Sequence, residues 1–188
     1  MCRSCRDVAL ALGRLPVPVT PVALVTARTP LYRALRQYKS GEPTIAARQQ
    51  ARLASLIERF FARHRDCIAP DGLDMTVVVP SARGGRPSPH PLSAVIAATT
   101  SLPDLLEALA PGTAQVDHRH PSDLGYRAKV DVEGSRVLLV DDVYTSGAHL
   151  QSAAAALFEA GAREVRPIVL GRFVRDGAPR LSCARCGR

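Results

Sequence analysis

The stretch "VLLVDDVYTSGAHL", residues 137–150, constrains this chain more than any other. Four branched apolar residues run into two adjacent aspartates, Asp141 and Asp142; a short turn bearing hydroxyls and a glycine follows, then a helical pattern. A continuous apolar run of this kind reads as a strand buried on both faces, which belongs in a parallel sheet covered by helices. In an open parallel sheet, ligands settle beyond the carboxyl ends of the strands, where loops meet helix N-termini. The acidic pair stands at that position. Thr145, Ser146 and Gly147 then supply hydroxyls, backbone N–H groups and a residue free to take positive φ, at a helix start that favours an anion. Paired carboxylates do not bind a phosphate. They suit vicinal hydroxyls, as acceptors, and a hydrated magnesium ion. A ligand with ribose hydroxyls at one end of a short span and a phosphate at the other meets both halves of the stretch. A 5-phosphoribosyl group is such a ligand.

The rest of the chain supplies the other layers of such a fold. In "LYRALRQYKSG", Leu31, Leu35 and Tyr38 share one helical face and Gly41 ends the run. Thr44, after Pro43, reads as the N-cap of a second helix whose apolar stripe is Leu53, Leu56, Ile57, Phe60 and Phe61. "DMTVVVP" reads as a short buried strand, "SARGGRPSPHP" as a polar loop, and a helix is expected from about Leu92. "TAQVDH" is expected to form a further short strand, and "RHPSDLGYRAKVDVEGS" a long loop with a weak ribbon, of the kind that serves as a lid. After "RVLLVDD", a helix over residues 147–160 turns Leu150, Ala154, Leu157 and Phe158 inward and closes at Gly161; "EVRPIVLGRFV" is the last strand. Strands alternating with helices predict an α/β, doubly wound parallel sheet. The expected division is a cysteine-containing segment over 1–29, the α/β domain over 30–175, and a cysteine tail over 176–188. Two other accounts of the acidic pair are weaker. A receiver domain needs a far longer chain after the pair than this one has. An ordinary helix-start cluster does not explain the joint order of strand, acids, hydroxyl turn and helix.

"VLLVDDVYTSGAH" resembles the phosphoribosyl-diphosphate binding signature of the type I phosphoribosyltransferases, and Tyr144 with the continuation "LQSAAAALFEAGAREVRPIVL" resembles their ComF-like branch. So do "LYRALRQYKSG", "VVVPSARGGR" and a cysteine pair near the N-terminus. The resemblance implies an enzyme that uses 5-phosphoribosyl 1-diphosphate (PRPP) and Mg2+ to place the phosphoribosyl group on a nitrogen nucleophile. It implies ribose hydroxyls on Asp141 and Asp142, the 5-phosphate in the turn of Thr145, Ser146, Gly147, Ala148 and His149, and Val143 and Tyr144 as further PRPP-binding residues. The diphosphate would lie against Ser81, Ala82, Arg83, Gly84 and Arg86, with Arg83 stabilising the leaving group. Arg127 and Lys129 are candidates for a lid over the diphosphate. Tyr144 either packs on the sugar or faces the core. The chain departs from the branch at His149, where a small residue such as Thr is usual, and at "RGGRPSPHP", where an Arg-Gly-Phe-Asn-like stretch is usual. The branch also leaves open a non-catalytic role in competence, with single-stranded DNA as partner, or in sensing PRPP. No motif identifies the acceptor.

Composition is consistent with these readings. The chain has 188 residues, enough for one core, and no apolar run near the ~20 residues of a membrane span. Asp7 and the lack of a small-residue cleavage site argue against a signal peptide, so a cytoplasmic protein is expected. The net charge of +8, carried almost wholly by arginine, favours an anionic ligand or a solvated basic surface. With no Trp, four Tyr and four Phe, a stacking platform for single strands has little support. A homodimer is left open. His118 and His120 lie close to Asp117 and Asp123, a spacing better explained by a polar surface loop than by a metal site. Cys67 stands alone and reads as an inert thiol.

Cys2 with Cys5, and Cys183 with Cys186, make two C-x2-C pairs. In a cytoplasmic chain that pattern reads as four thiolates on one structural zinc, which requires the two ends of the chain to meet. The ComF resemblance implies both pairs near the start, so this would be a split version. The expected outcome is about one zinc per chain in the monomeric fraction, by metal analysis. Removing either pair should cause the same loss of metal and a similar fall in Tm. A metal-free monomer with four titratable terminal thiols would contradict the shared site.

Overall fold

The apolar run at 137–140 lies in the middle of the sheet, and its alternation explains why it carries no polar residue. The computed structural model describes residues 3–81, 90–117 and 119–174. In chain order the elements are α1 (Arg3–Leu12), β1 (Thr20–Val25), α2 (Pro30–Gln37), α3 (Pro43–Ile68), β2 (Met75–Val78), α4 (Pro91–Ala97), β3 (Leu105–Leu106), β4 (Leu109–Pro111), a 3-10 turn (Asp123–Gly125), β5 (Tyr126–Ala128), β6 (Arg136–Tyr144), α5 (Ala148–Glu159) and β7 (Glu164–Phe173). Five strands form one sheet in the order β1-β7-β6-β2-β3, and every neighbouring pair is parallel.

Successive strand residues point to opposite faces. Val137 and Leu139 of β6 therefore enter the core under α5, with Val77, Val165, Leu150 and Leu157. Leu138 and Val140 enter the other core, with Leu35 of α2, Leu53, Ile57 and Phe61 of α3, and Leu92 and Ile96 of α4. Helices cover both faces, as the alternation of elements predicts. The connections diverge at the middle of the sheet. β2 continues through α4 to β3 on one side, whereas β6 continues through α5, on the opposite face, to β7 on the other side. The junction of β2 and β6 is thus the topological switch point, where such sheets open a crevice. Their pairing ends at Val78 and Val140; beyond it the chain leaves β2 through Pro80, while β6 runs on to Tyr144 beside β7 alone.

Several elements differ from expectation. Glu42, not Thr44, caps α3: its carboxylate accepts from the N–H groups of Thr44 (2.9 Å) and Ile45 (2.8 Å), and Pro43 takes the first helical position, where its missing N–H costs nothing. Residues 113–117 form no strand, and the pairing partner lies earlier, at β4. The expected long loop contains β5, which pairs antiparallel with β4, and the ribbon packs against α5. Its attachment is polar as well as apolar, because the Ser122 N–H donates to the Oγ of buried Ser152 at 2.9 Å.

The segment set apart as 1–29 contributes β1 to the sheet, parallel to β7. Between α1 and β1 the backbone crosses α5, where the side-chain amide of Gln151 binds both the N–H and the carbonyl of Val17, each at 2.9 Å. Gln151 is buried, while Val17 is half-buried, so both bonds are partly shielded from water. Gln151→Ala strands two backbone polar groups and should cost about 2–4 kcal/mol. That corresponds to a fall in Tm of roughly 4–16 °C, read by circular dichroism. An unchanged Tm would mean that residues near Val17 do not dock on α5.

Candidate functional site

A cleft of about 770 Å³ opens at the switch point, lined by the residues that follow β2 (Val79, Pro80, Ser81), the last part of β6, the first turn of α5, Gln115–Asp117 next to the ribbon, Tyr126 and Lys39. Asp141 and Asp142 sit where β6 has lost β2 as a neighbour, so their backbone is fixed on one side by β7 while the other side faces the cleft.

The two carboxylates have different surroundings because the strand turns them to different faces. Asp142 follows Leu138 and Val140 toward the side of α2. Its Oδ2 accepts from the Tyr38 hydroxyl (2.8 Å) and faces the Lys39 ammonium at 2.5 Å, and its Oδ1 accepts from the Val143 N–H (2.8 Å). Burial alone would raise this carboxyl; Lys39, then the Tyr38 hydroxyl and the Val143 N–H, outweigh it and hold Asp142 below the usual carboxylate range. Asp141 points toward the α5 side, and its Oδ1 accepts from the Asp142 N–H at 2.8 Å. Burial, and then the charge of Asp142, push the Asp141 carboxyl well up. One member of the pair is therefore a settled anion, and the other is held back from ionising.

Tyr38 and Lys39 reach Asp142 because α2 ends there. Thr29 caps the start of α2 with its Oγ1, Pro30 takes the first helical position, and the Tyr38 N–H closes the last turn on Ala34. Gln50 of α3 then donates to the Tyr38 carbonyl at 3.2 Å, and Gln49 to the Gln37 side chain at 3.2 Å. Gly171 lets α2 come this close to the sheet, since a side chain there would put its first carbon 2.7 Å from Leu35 Cδ1.

After Tyr144 the chain turns through Thr145 and Ser146 to Gly147, which has φ of +87° and precedes the first turn of α5. A side chain on Gly147 would collide with the Tyr144 ring, so the glycine is required twice, by its backbone and by its neighbour. Tyr144 lines the cleft and also packs against the core under α5, and the Arg172 guanidinium stands 5.7 Å from its ring centroid. His149, in the first turn of α5, is 2.9 Å through Nδ1 from the Tyr126 hydroxyl, which also lies 3.3 Å from the Pro80 carbonyl. Burial, and then the nearby charge of Asp141, raise the Tyr126 hydroxyl far above its ordinary value, so it stays protonated.

The cleft thus gathers Asp141, Asp142, Val143, Tyr144, Thr145, Ser146, Gly147, Ala148, His149 and Ser81. Ala82, Arg83, Gly84 and Arg86 lie outside the described residues, as do His118, Cys2, Cys183 and Cys186, so the shared zinc site falls outside them too. Cys5 is half-buried on α1, and Cys67 is half-buried on α3. The cleft does not take in Arg127 or Lys129; Lys129 pairs with Glu107 at 3.2 Å. Sequence reasoning missed Lys39 and Tyr126 as cleft residues, and the buried Tyr38 as a partner of Asp142. One signal was available for Lys39: among 25 lysines and arginines, only it and Lys129 are lysine. Among the described residues, no three His, Cys, Asp or Glu side chains gather so as to hold a metal ion, and no helix is long and apolar enough to cross a membrane.

The chain belongs to the phosphoribosyl transferase domain family, whose model matches residues 47–180. Among solved structures it is similar to the allosteric regulatory enzyme of purine biosynthesis, at 26% identity over 55% of this chain and 23% of that one, with a TM-score of 0.36. It is also similar to a hypoxanthine phosphoribosyltransferase from Staphylococcus aureus (10% identity, 68% and 75% of the two chains, TM-score 0.41). A third is phosphoribosylpyrophosphate synthetase from Mycobacterium smegmatis (20% identity, 94% and 61%, TM-score 0.36). The chain thus spans under a quarter of the first of these proteins. No curated protein matches it.

The Asp141 environment has a consequence for stability. A carboxyl whose folded pKa is raised gives no penalty below its unfolded pKa and destabilises the fold increasingly as pH rises toward the folded value. Asp141→Asn keeps an oxygen for the Asp142 N–H and replaces an acid whose ionisation the fold suppresses with a neutral amide. It should raise the Tm of the ligand-free protein at pH 7 and leave it unchanged near pH 3. A Tm that fell at pH 7 would contradict the assignment of strain to Asp141.

Proposed function

We propose that this protein is a phosphoribosyltransferase of the ComF-like branch, transferring the 5-phosphoribosyl group of PRPP to a nitrogen nucleophile. The observation that carries the proposal is one arrangement: a carboxylate pair at the switch point, followed within one turn by a positive-φ glycine at the start of α5, inside a single cleft. Membership of the family supports it.

In this reading the backbone N–H groups from Thr145 to His149 and the helix start receive the 5-phosphate. Asp141 accepts the ribose hydroxyls, together with the remaining acceptor capacity of Asp142. Diphosphate would extend toward Ser81 and the segment with Ala82, Arg83, Gly84 and Arg86. The nucleophile's lone pair forms the bond to the anomeric carbon as the carbon–oxygen bond to diphosphate breaks, the electron pair leaving with diphosphate and the proton passing from nitrogen to solvent. The Asp142 carboxylate beneath the sugar would favour the oxocarbenium-like transition state, and positioning in the cleft would supply much of the rate. A magnesium ion fits this donor set, since it binds through one or two carboxylates plus substrate phosphates and keeps several waters rather than needing a protein cage. When bound, it would neutralise the leaving diphosphate.

The test is a scan of nucleobases and other nitrogen acceptors with PRPP and Mg2+, following diphosphate release, with calorimetry of PRPP binding alongside. Wild type should bind PRPP. Asp141→Asn combined with Asp142→Asn should lower its affinity about a hundredfold or more while leaving the protein folded. Gly147→Val should weaken every ligand that carries a 5-phosphate, because a β-branched residue is strained at positive φ and meets the Tyr144 ring. Full affinity in the folded double variant would contradict the ribose assignment.

A further inference from the structure

PRPP is a polyanion, yet the cleft is lined by the carboxylates of Asp117, Asp141 and Asp142, and Lys39 is the one lysine or arginine among its described lining residues. The Lys39 ammonium is seated: Asp142 Oδ2 lies at 2.5 Å, the Tyr38 ring centroid at 5.2 Å, and the preceding carbonyl is held by Gln50. Its side chain keeps 29% of its exposure, and Asp142 accounts for one of three N–H directions on an ammonium. The tie to Asp142 fixes where the cation points without using it up.

The side on which it stands identifies what it meets. The turn that would take the 5-phosphate belongs to α5, on the face toward which Asp141 points. Lys39 follows the end of α2, on the opposite face, with Asp142. In a phosphoribosyl group the 5-phosphate and the anomeric oxygen leave the ring at opposite ends. With the phosphate on the α5 side, the anomeric substituent extends toward Asp142 and Lys39. A compact ammonium with three donors suits phosphate oxygens there as a point charge, in a chain that otherwise uses arginine almost throughout. We propose that Lys39 is a direct ligand-binding residue of this cleft and contacts the diphosphate of bound PRPP, an inference that rests on the function proposed above.

Both lysines can be read in the wild-type protein. Acylation with an amine-reactive reagent, followed by peptide mass spectrometry, measures Lys39 against Lys129, which does not line the cleft and serves as internal control. PRPP with Mg2+ should slow labelling of Lys39 roughly tenfold or more and leave Lys129 unchanged, whereas ribose 5-phosphate, which has no diphosphate, should protect Lys39 little. In calorimetry, Lys39→Met should weaken PRPP about tenfold or more and ribose 5-phosphate by no more than about twofold. Equal losses for both ligands, or equal protection by both, would mean that Lys39 acts only through Asp142 and would overturn the contact. So would unchanged labelling and affinity in a protein that binds PRPP. If Lys39→Met fails to fold, the wild-type labelling decides alone. A wild-type protein that binds neither ligand removes the phosphoribosyl reading itself, and this inference with it.

Discussion

The structure of the site depends on how one carboxylate is held. Asp142 stands where β6 has parted from β2, and every oxygen it presents has a partner: Tyr38 and Lys39 on one, the Val143 N–H on the other. This tie joins the end of α2 to the end of the central strand, so two elements far apart in sequence meet at the floor of the cleft. It also explains how two adjacent acids coexist in a half-buried place. Lys39 neutralises one, and the other bears the cost of the burial and of its neighbour's charge. A chain without Lys39 would have two strained carboxylates there. The pair is therefore asymmetric before any ligand arrives, with Asp142 committed to the protein and Asp141 turned toward the cleft.

A second set of ties fixes the opposite wall. The β4–β5 ribbon is held on α5 by Ser122 and Ser152, and its Tyr126 reaches His149 in the first turn of that helix. The ribbon, the helix start and the end of β2 are thus joined at the Tyr126 hydroxyl. His149, where the ComF-like branch usually has a small residue, makes this contact through a side chain that Thr would not extend as far. His149 is therefore a structural link between the ribbon and the first turn of α5.

What was legible in the sequence follows from how local the physics is. The run 137–140 announced a doubly covered parallel strand because burial on both faces leaves no position for a polar residue. Gly147 was readable because positive φ is a property of one residue, and the stripe of α3 because it repeats within one helix. Tyr38 and Lys39 carry no local signature as site residues, since their role exists only once α2 packs against β7 at Gly171. The place of β1 in the sheet was hidden for the same reason: its partner β7 is more than a hundred residues away. The ribbon was half legible. Its β5 strand has alternation too short to register, and the short strand expected at 113–118 lies just after β4, the strand that pairs with it.

The proposed ligand spans the cleft with its phosphate at the start of α5 and its sugar over the acidic pair. A crystal structure of the protein with PRPP and Mg2+ decides this. The 5-phosphate is expected against the backbone N–H groups of residues 145–149, with the ribose hydroxyls within hydrogen-bonding distance of Asp141. A ligand bound elsewhere, or one in this cleft with its ribose turned away from both aspartates, would contradict it.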